Sequence, residues 1–234
     1  MEIVPNGFSS FMLREVDDRS EPLAILDVGG GSESRVPFDD ARITVLDSSA
    51  DALDRNPRAD ETLVGDAQTY DYGDRRFDVV VSWNVLEHVP VPEAAVERAC
   101  DSMKPDGVVV VRGPELGSLK SIITRLTPHW VHILYYRWVL QIRDAGTAGR
   151  PPCRVEHSEG ADRSALIAIF RKLGFSVRYE QRYVGDQVTE LRRFSKLAYA
   201  IYTAAAGLLR LLTLSRYGAR ETEFILVARK PRTV

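Results

Sequence analysis

Cysteine is scarce: Cys100 and Cys153 are the two in 234 residues, and their contexts are unrelated. That excludes a disulfide framework and a zinc-binding spacing, and a reducing, cytoplasmic setting is expected. No apolar run reaches the ~18 residues that a membrane span needs. The opening stretch, MEIVPNGFSSFMLREVDD, lacks a basic segment followed by a long apolar run, so no signal peptide is expected. Neither sign of charge dominates: the formal net charge is −2, with acids and bases interspersed. Without a basic stripe, a nucleic-acid partner is not expected. Internal repeats and low-complexity segments are also absent. A hydrophobic content of 44% over this length allows one sizeable core and is short for two full domains. A single domain over 1–234 is therefore expected.

What is present is a series of short, continuous, β-branched runs. Residues 23–28 (LAILDV), 42–46 (RITVL), 61–64 (ETLV), 77–83 (FDVVVSW) and 107–112 (GVVVVR) read as strands with both faces covered, as in a parallel sheet. Residues 92–103 form a helical pattern between the fourth and fifth runs, with Ala95, Val96, Ala99, Cys100 and Met103 on one face. Strand, helix and strand in repetition predict an α/β doubly wound, Rossmann-like sheet. The first crossover, interrupted by Pro37, is expected to be short or broken. After Pro114 the character changes. Residues 116–141, rich in Trp, Tyr, His and Leu, predict one or two helices broken at Thr127-Pro128, followed by a Gly/Pro-containing loop over 144–154. A helix over 162–173 capped by Gly174, a strand over 175–182, a helix over 188–214 and a last strand over 221–229 complete the chain.

The first strand runs into Asp27, Val28, Gly29, Gly30 and Gly31. Glycine at the carboxyl end of a parallel strand permits a sharp turn and close approach of backbone N–H groups to a ligand. A P-loop would need Gly-Lys-Ser/Thr after the loop, which is absent. A dinucleotide fingerprint would need a third glycine where Ser34 stands. A carboxylate at Asp27 would repel a pyrophosphate and would suit a cationic ligand carrying an amino-acid tail.

In order along the chain, these residues resemble the class I S-adenosylmethionine-dependent methyltransferases, in the small-molecule branch. Asp27 through Ser32 resembles the first motif. Asp47, followed by Ser48, matches the acid that grips the ribose hydroxyls. Gly65, Asp66 and Ala67 match the segment whose acid meets the adenine amino group. Ser82, Trp83, Asn84 and the run through Glu87 and His88 resemble the fourth-strand motif beside the sulfonium. Met103 to Gly107 looks like that family's LKPGG turn, with Asp106 in place of a glycine. The resemblance covers roughly residues 23–114, and the run ETEFILVARK fits the family's closing antiparallel strand. It implies a seven-stranded sheet, mostly parallel with the last strand antiparallel, a cofactor-binding half over 20–114, helical lid segments over 115–160 and 188–216, and sheet-completing elements over 161–187 and 217–234. It also implies S-adenosylmethionine as cofactor and S-adenosylhomocysteine as product.

For catalysis the candidates are His88, His129, His132 and Tyr136. His88 is either a general base or a positional residue that also touches the cofactor. On a helix His129 and His132 share a face, and His132 lies one turn from Tyr136, so this stretch could supply a base and an aromatic wall or be a packing helix. No carboxylate joins the two histidines at ligand spacing, so no metal is expected. His157, in the loop RVEHSEG, carries no signal by itself. Residues 197–209 hold no charge but are flanked by Arg192, Arg193, Lys196, Arg210 and Arg216. They suit a core, lid or homodimer helix, or, over 197–214, a helix lying on a membrane surface. The expected activity is methyl transfer to a small-molecule or lipid-linked acceptor, by default to oxygen. Alternatives are a non-methylating enzyme with this fold and cofactor, a non-catalytic partner with a decayed site, and a dehydrogenase.

Overall fold

The computed structural model describes residues 7–16, 22–35, 40–147, 159–217 and 220–232, together with Pro5, Phe38 and Pro152. Pro37, Cys153 and His157 lie outside the described residues. Seven strands form one sheet: β1 (Leu23–Val28), β2 (Ala41–Asp47), β3 (Glu61–Val64), β4 (Phe77–Trp83), β5 (Met103–Pro114), β6 (Ser176–Tyr183) and β7 (Glu223–Arg229), in the order β3-β2-β1-β4-β5-β7-β6. The first five pair in parallel. Along β5 and β7 the hydrogen-bonded partners 107/230 and 115/222 run in opposite senses, so β7 is antiparallel. The expected sheet, including its reversed last strand, is the observed one. Its central strands read as they do because both faces are covered: β4 is buried from Phe77 through Ser82, and β1 from Ile25 through Val28.

The chain divides into two compact units. One comprises 6–113, 158–180 and 225–234. It holds most of the sheet with α1 (Phe8–Val16), α2 (Ala50–Leu53), α3 (Pro92–Asp101) and α6 (Arg163–Lys172). The other comprises 1–5, 114–157 and 181–224 and holds α4 (Leu119–Leu126), α5 (His129–Trp138), α7 (Asp186–Phe194) and α8 (Lys196–Leu212).

Several elements differ in detail from the sequence reading. Met103 begins β5 instead of ending α3, because the register shifts between the Phe77–Met103 and Val79–Val108 pairs. Asp106 sits in this irregularity at φ +63°. Aspartate tolerates that left-handed region better than most residues, and its carboxylate is held by Arg229 and Arg232 at 3.0 and 3.1 Å. The aspartate thus serves where the resembling motif has glycine. The helix expected over 188–214 is two helices: Ser195 adopts an extended conformation and accepts from the N–H of Ala198, capping α8. Among the described residues no helix joins β1 to β2, consistent with the weak pattern there. The unanticipated α1 aligns Phe8, Met12 and Val16 at helical spacing and buries all three; Phe8 packs 6.4 Å from Trp83 and 5.7 Å from Tyr179 between ring centres.

Candidate cofactor site

The strand order reverses between β1 and β4, so their carboxyl ends open a crevice at which ligands of such sheets bind. Pairing of Asp27 with Val81 and of Val28 with Ser82 sets the residues of these two ends side by side. Beyond Val28 the chain leaves the sheet through Gly29 at φ +74° and Gly31 at φ +49°, and the Gly29 N–H donates to the Leu46 carbonyl. Gly30 is required for space. A Cβ there would stand 2.3 Å from Asp27 Oδ2 and 2.8 Å from a Val45 methyl. A Cβ on Gly29 would stand 2.5 Å from Val85. The glycine loop therefore lies directly on the Asp27 carboxylate.

Asp27 is buried, and its Oδ2 has no hydrogen-bond partner. Burial raises its pKa to about 6; a hydrogen bond from Ser34 opposes the rise, and the Asp47 charge adds to it. The side chains of Ser82 and Asn84, at and just beyond the end of β4, likewise leave a buried oxygen without a partner. Asn84 takes φ +57°, and its N–H donates to the Arg112 carbonyl. Each such orphan costs ~1–3 kcal/mol unless a ligand meets it. Three of them gather at the ends of β1 and β4, on either side of the strand-order reversal.

Asp47 closes β2. Its Oδ1 accepts from the Ser49 N–H at 2.8 Å, its carbonyl accepts from the Gly65 N–H, and Oδ2 would stand 3.5 Å from a Cβ on Gly31. Ser48 beside it is exposed. Asp66 is exposed and engaged by Gln68: Oδ1 accepts from the Gln68 backbone N–H, and both oxygens accept from its amide at 3.0 Å. Those bonds hold its carboxyl below the usual aspartate range. Gln68 in turn accepts from the Val91 N–H, tying the loop of Gly65, Asp66 and Ala67 to the segment after β4. Trp83 is half-buried beneath the Arg112 guanidinium, 5.3 Å from its ring centre. His88 ends a single 3₁₀ turn, 86–88, that follows Asn84.

The structure thus brings together Asp27, the three glycines, Asp47, Gly65, Ser82 and Asn84. His129, His132 and Tyr136 all lie on α5, in the other compact unit. There His132 Nε2 meets Thr127 Oγ1 at 2.7 Å. The Thr127 hydroxyl also donates to the Ile123 carbonyl at 2.7 Å. The Tyr136 hydroxyl accepts from Gln187 at 2.7 Å, and Tyr135 donates to the carbonyl of the same glutamine. These α5 side chains therefore already hold local structure. Sequence reasoning missed Asn56, whose amide donates to the Gly31 carbonyl at 2.9 Å and to Ser34 Oγ at 3.1 Å. Ser34, where a third glycine was sought, is buried and braces the loop through Asn56 and Asp27.

A glycine loop on a buried acid, with an acid closing the next strand, is the arrangement of an α/β domain that binds a nucleoside ligand bearing a cationic tail. The family model described as a methyltransferase domain matches residues 2–180. The chain belongs to this family and is a class I S-adenosylmethionine-dependent methyltransferase by fold. Solved structures share the fold. A methyltransferase from Archaeoglobus fulgidus superposes with a TM-score of 0.58 at 17% identity, over 95% of this chain and 92% of that one. The plantazolicin methyltransferase BpumL, solved with S-adenosylhomocysteine, gives 0.56 at 14% identity, over 96% and 81%. The [4+2]-cyclase SpnF gives 0.55 at 17%, over 96% and 81%.

The residues fit the cofactor of this class: the unpartnered Asp27 oxygen suits an ammonium group, and Asp47 Oδ2 faces the loop where hydroxyls could reach it. A pH dependence follows. With its folded pKa raised, Asp27 takes up a proton in the native state below about pH 6. The ligand-free protein therefore gains stability from this group as pH falls through 6 toward the unfolded value. A cationic ligand needs the carboxylate, so its affinity should fall over the same window. Thermal melts and titrations of the wild type and of Asp27→Asn between about pH 4 and pH 8 check both trends: the wild type should lose affinity as pH falls below about 6, and an affinity that stays level there would contradict this role of Asp27.

Proposed function

We propose that the protein transfers a methyl group from S-adenosylmethionine to a small-molecule or lipid-linked acceptor, with oxygen as the accepting atom. The observation that carries this reading is the buried Asp27 carboxylate, half satisfied, under a glycine loop in which Gly29 and Gly30 leave no room for a Cβ. Bound S-adenosylmethionine supplies an electrophilic methyl on a positively charged sulfur. Asp27 would hold the ammonium end, Asp47 the ribose hydroxyls, and the segment of Gly65, Asp66 and Ala67 the adenine. Ser82, Trp83 and Asn84 would line the side next to the sulfur. The chain's task is alignment of acceptor oxygen, methyl carbon and sulfur, worth about 7–11 kcal/mol when geometry is fixed. As the new C–O bond forms and the C–S bond breaks, the hydroxyl proton must leave.

His88 is the base we favour, because it follows Asn84 by four residues within the same compact unit as Asp27 and Asp47. His88→Ala should lower kcat by about 10²–10⁴-fold, the usual contribution of a general base, while S-adenosylhomocysteine affinity stays close to wild type. Equal loss of both would make His88 a cofactor contact, and unchanged kcat would pass the role to His132, His129 or Tyr136. A second reading has support in the likeness to a [4+2]-cyclase: one fold hosts different reactions, so this domain could turn over its substrate without methylating it. Incubation with methyl-labelled cofactor and a panel of hydroxylated acceptors separates the two. Label in the acceptor supports methyl transfer; acceptor conversion without label supports the second reading.

A further inference from the structure

The unit that contains α4, α5, α7 and α8 carries a surface unrelated to the cofactor residues. On α8, Leu197, Ile201, Leu208, Leu211 and Leu212 are each between 57% and 74% exposed. At 100° per residue they fall on one face, and the exposed Ala204 and Ala205 lie among them. The opposite face, with Tyr202 and the buried Ala206, is the less exposed one. The usual polarity of a surface helix is thus inverted, since the solvent side is the apolar one. On α5 of the same unit, Trp130, Leu134 and Trp138 recur every fourth residue, and they are 62%, 45% and 70% exposed.

Charge in these segments has one sign. Residues 116–143 contain four Lys or Arg and residues 191–220 contain six, with no Asp or Glu in either, although the whole chain has a net charge of −2. Lys120 and Arg193 are paired with Glu223 and Glu190. The charged residues on α8 itself are Lys196 and Arg210, both exposed. No described helix is long and apolar enough to cross a membrane.

We infer that the apolar face of α8 docks on the surface of a bilayer containing anionic phospholipid, with the helix lying in the plane of the interface. An exposed apolar helix face, basic flanks and exposed tryptophans are what that environment selects. A second copy of the chain is a poorer occupant: a two-fold contact along α8 would set Lys196 and Arg210 against their own counterparts, with no acid on that helix to offset them. The inference rests on this surface alone and is independent of the methyl-transfer reading. If both hold, the lipid-linked class of acceptor is favoured over a freely soluble one.

The test is co-sedimentation of the full chain with vesicles of phosphatidylcholine and phosphatidylglycerol in equal parts, against phosphatidylcholine alone, at low and high salt. The expected result is capture by the anionic vesicles that weakens with salt. Replacing two exposed leucines, Leu208→Ser with Leu212→Ser, should weaken partitioning by about tenfold or more. Arg210→Glu should weaken it by about fivefold or more. All three positions are exposed, so melting temperature and S-adenosylhomocysteine binding should match wild type, which separates lost docking from lost folding or a lost cofactor site. Protein that stays in the supernatant with both vesicle types, or variants that sediment like wild type, would overturn the inference. A concentration-dependent dimer in sedimentation velocity, abolished by the leucine changes, would assign the face to a second copy instead.

Discussion

Gly30→Ala should all but abolish activity. The added methyl would be placed 2.3 Å from Asp27 Oδ2 and 2.8 Å from Val45 Cγ1, far inside contact distance. Gly30 does not occupy the left-handed region, so alanine meets no conformational objection there and the collision is the whole effect. Neither neighbour can retreat easily, because Val45 and Asp27 are both buried in central strands. The loop must lift, carrying Gly29 and Gly31 away from the positions that define the site. Displacement of about 1 Å can cost on the order of 10²-fold in rate, and a loss of at least this size is expected in methyl transfer, with a comparable loss in S-adenosylhomocysteine affinity. Gly73→Ala is the matched control. Gly73 sits at φ +58° with nothing within 4 Å of its Cβ position. That change should cost stability by about 1–2 kcal/mol through backbone strain alone and leave binding intact. If Gly30→Ala binds S-adenosylhomocysteine as wild type does, the loop is only a turn.

Asp47→Ala should weaken cofactor binding by tenfold or more, since two hydrogen bonds to a charged group are worth about 1.5–3 kcal/mol each. Its Oδ1 already accepts from the Ser49 N–H, so alanine also removes a local support of the turn before α2. Asp47→Asn keeps an acceptor for that N–H and removes the charge. A partial loss with Asn and a larger one with Ala, by calorimetric titration with S-adenosylhomocysteine, is the expected order. Unchanged affinity in both would refute the ribose assignment.

Much of this was legible in the sequence because its signals are local. Five strands could be read from runs of Val, Ile and Leu, since strands covered on both faces have no polar alternation to confuse them. The acids Asp27 and Asp47 stand out because one is the penultimate residue and the other the last residue of such a run. What the sequence hid depends on distant partners. Asn56 lies 25 residues from the Gly31 carbonyl it supports, and nothing in its neighbourhood announces a loop contact. Ser34 looked like a missing glycine when measured against a motif, whereas the structure uses its hydroxyl to brace the loop. Helix α1 shows the same limit: Phe8, Met12 and Val16 have helical spacing, but the rings that cover Phe8 are Trp83 and Tyr179, far along the chain. The break at Ser195 was masked because serine capped a second helix without help from proline or glycine. Among the catalytic candidates, helical spacing correctly placed His129, His132 and Tyr136 on α5, but it could not reveal that Thr127 and Gln187 engage two of them.

We propose that the crevice at β1 and β4 holds S-adenosylmethionine through Asp27 and Asp47. Calorimetric titration of the purified chain with S-adenosylmethionine and S-adenosylhomocysteine, with NAD(H) as control, tests it most directly. Saturable micromolar binding of both sulfur compounds, weakened tenfold or more in Asp47→Ala and absent with NAD(H), is the predicted result. No heat with either compound from a cooperatively folded protein, or tighter binding of NAD(H), would contradict it.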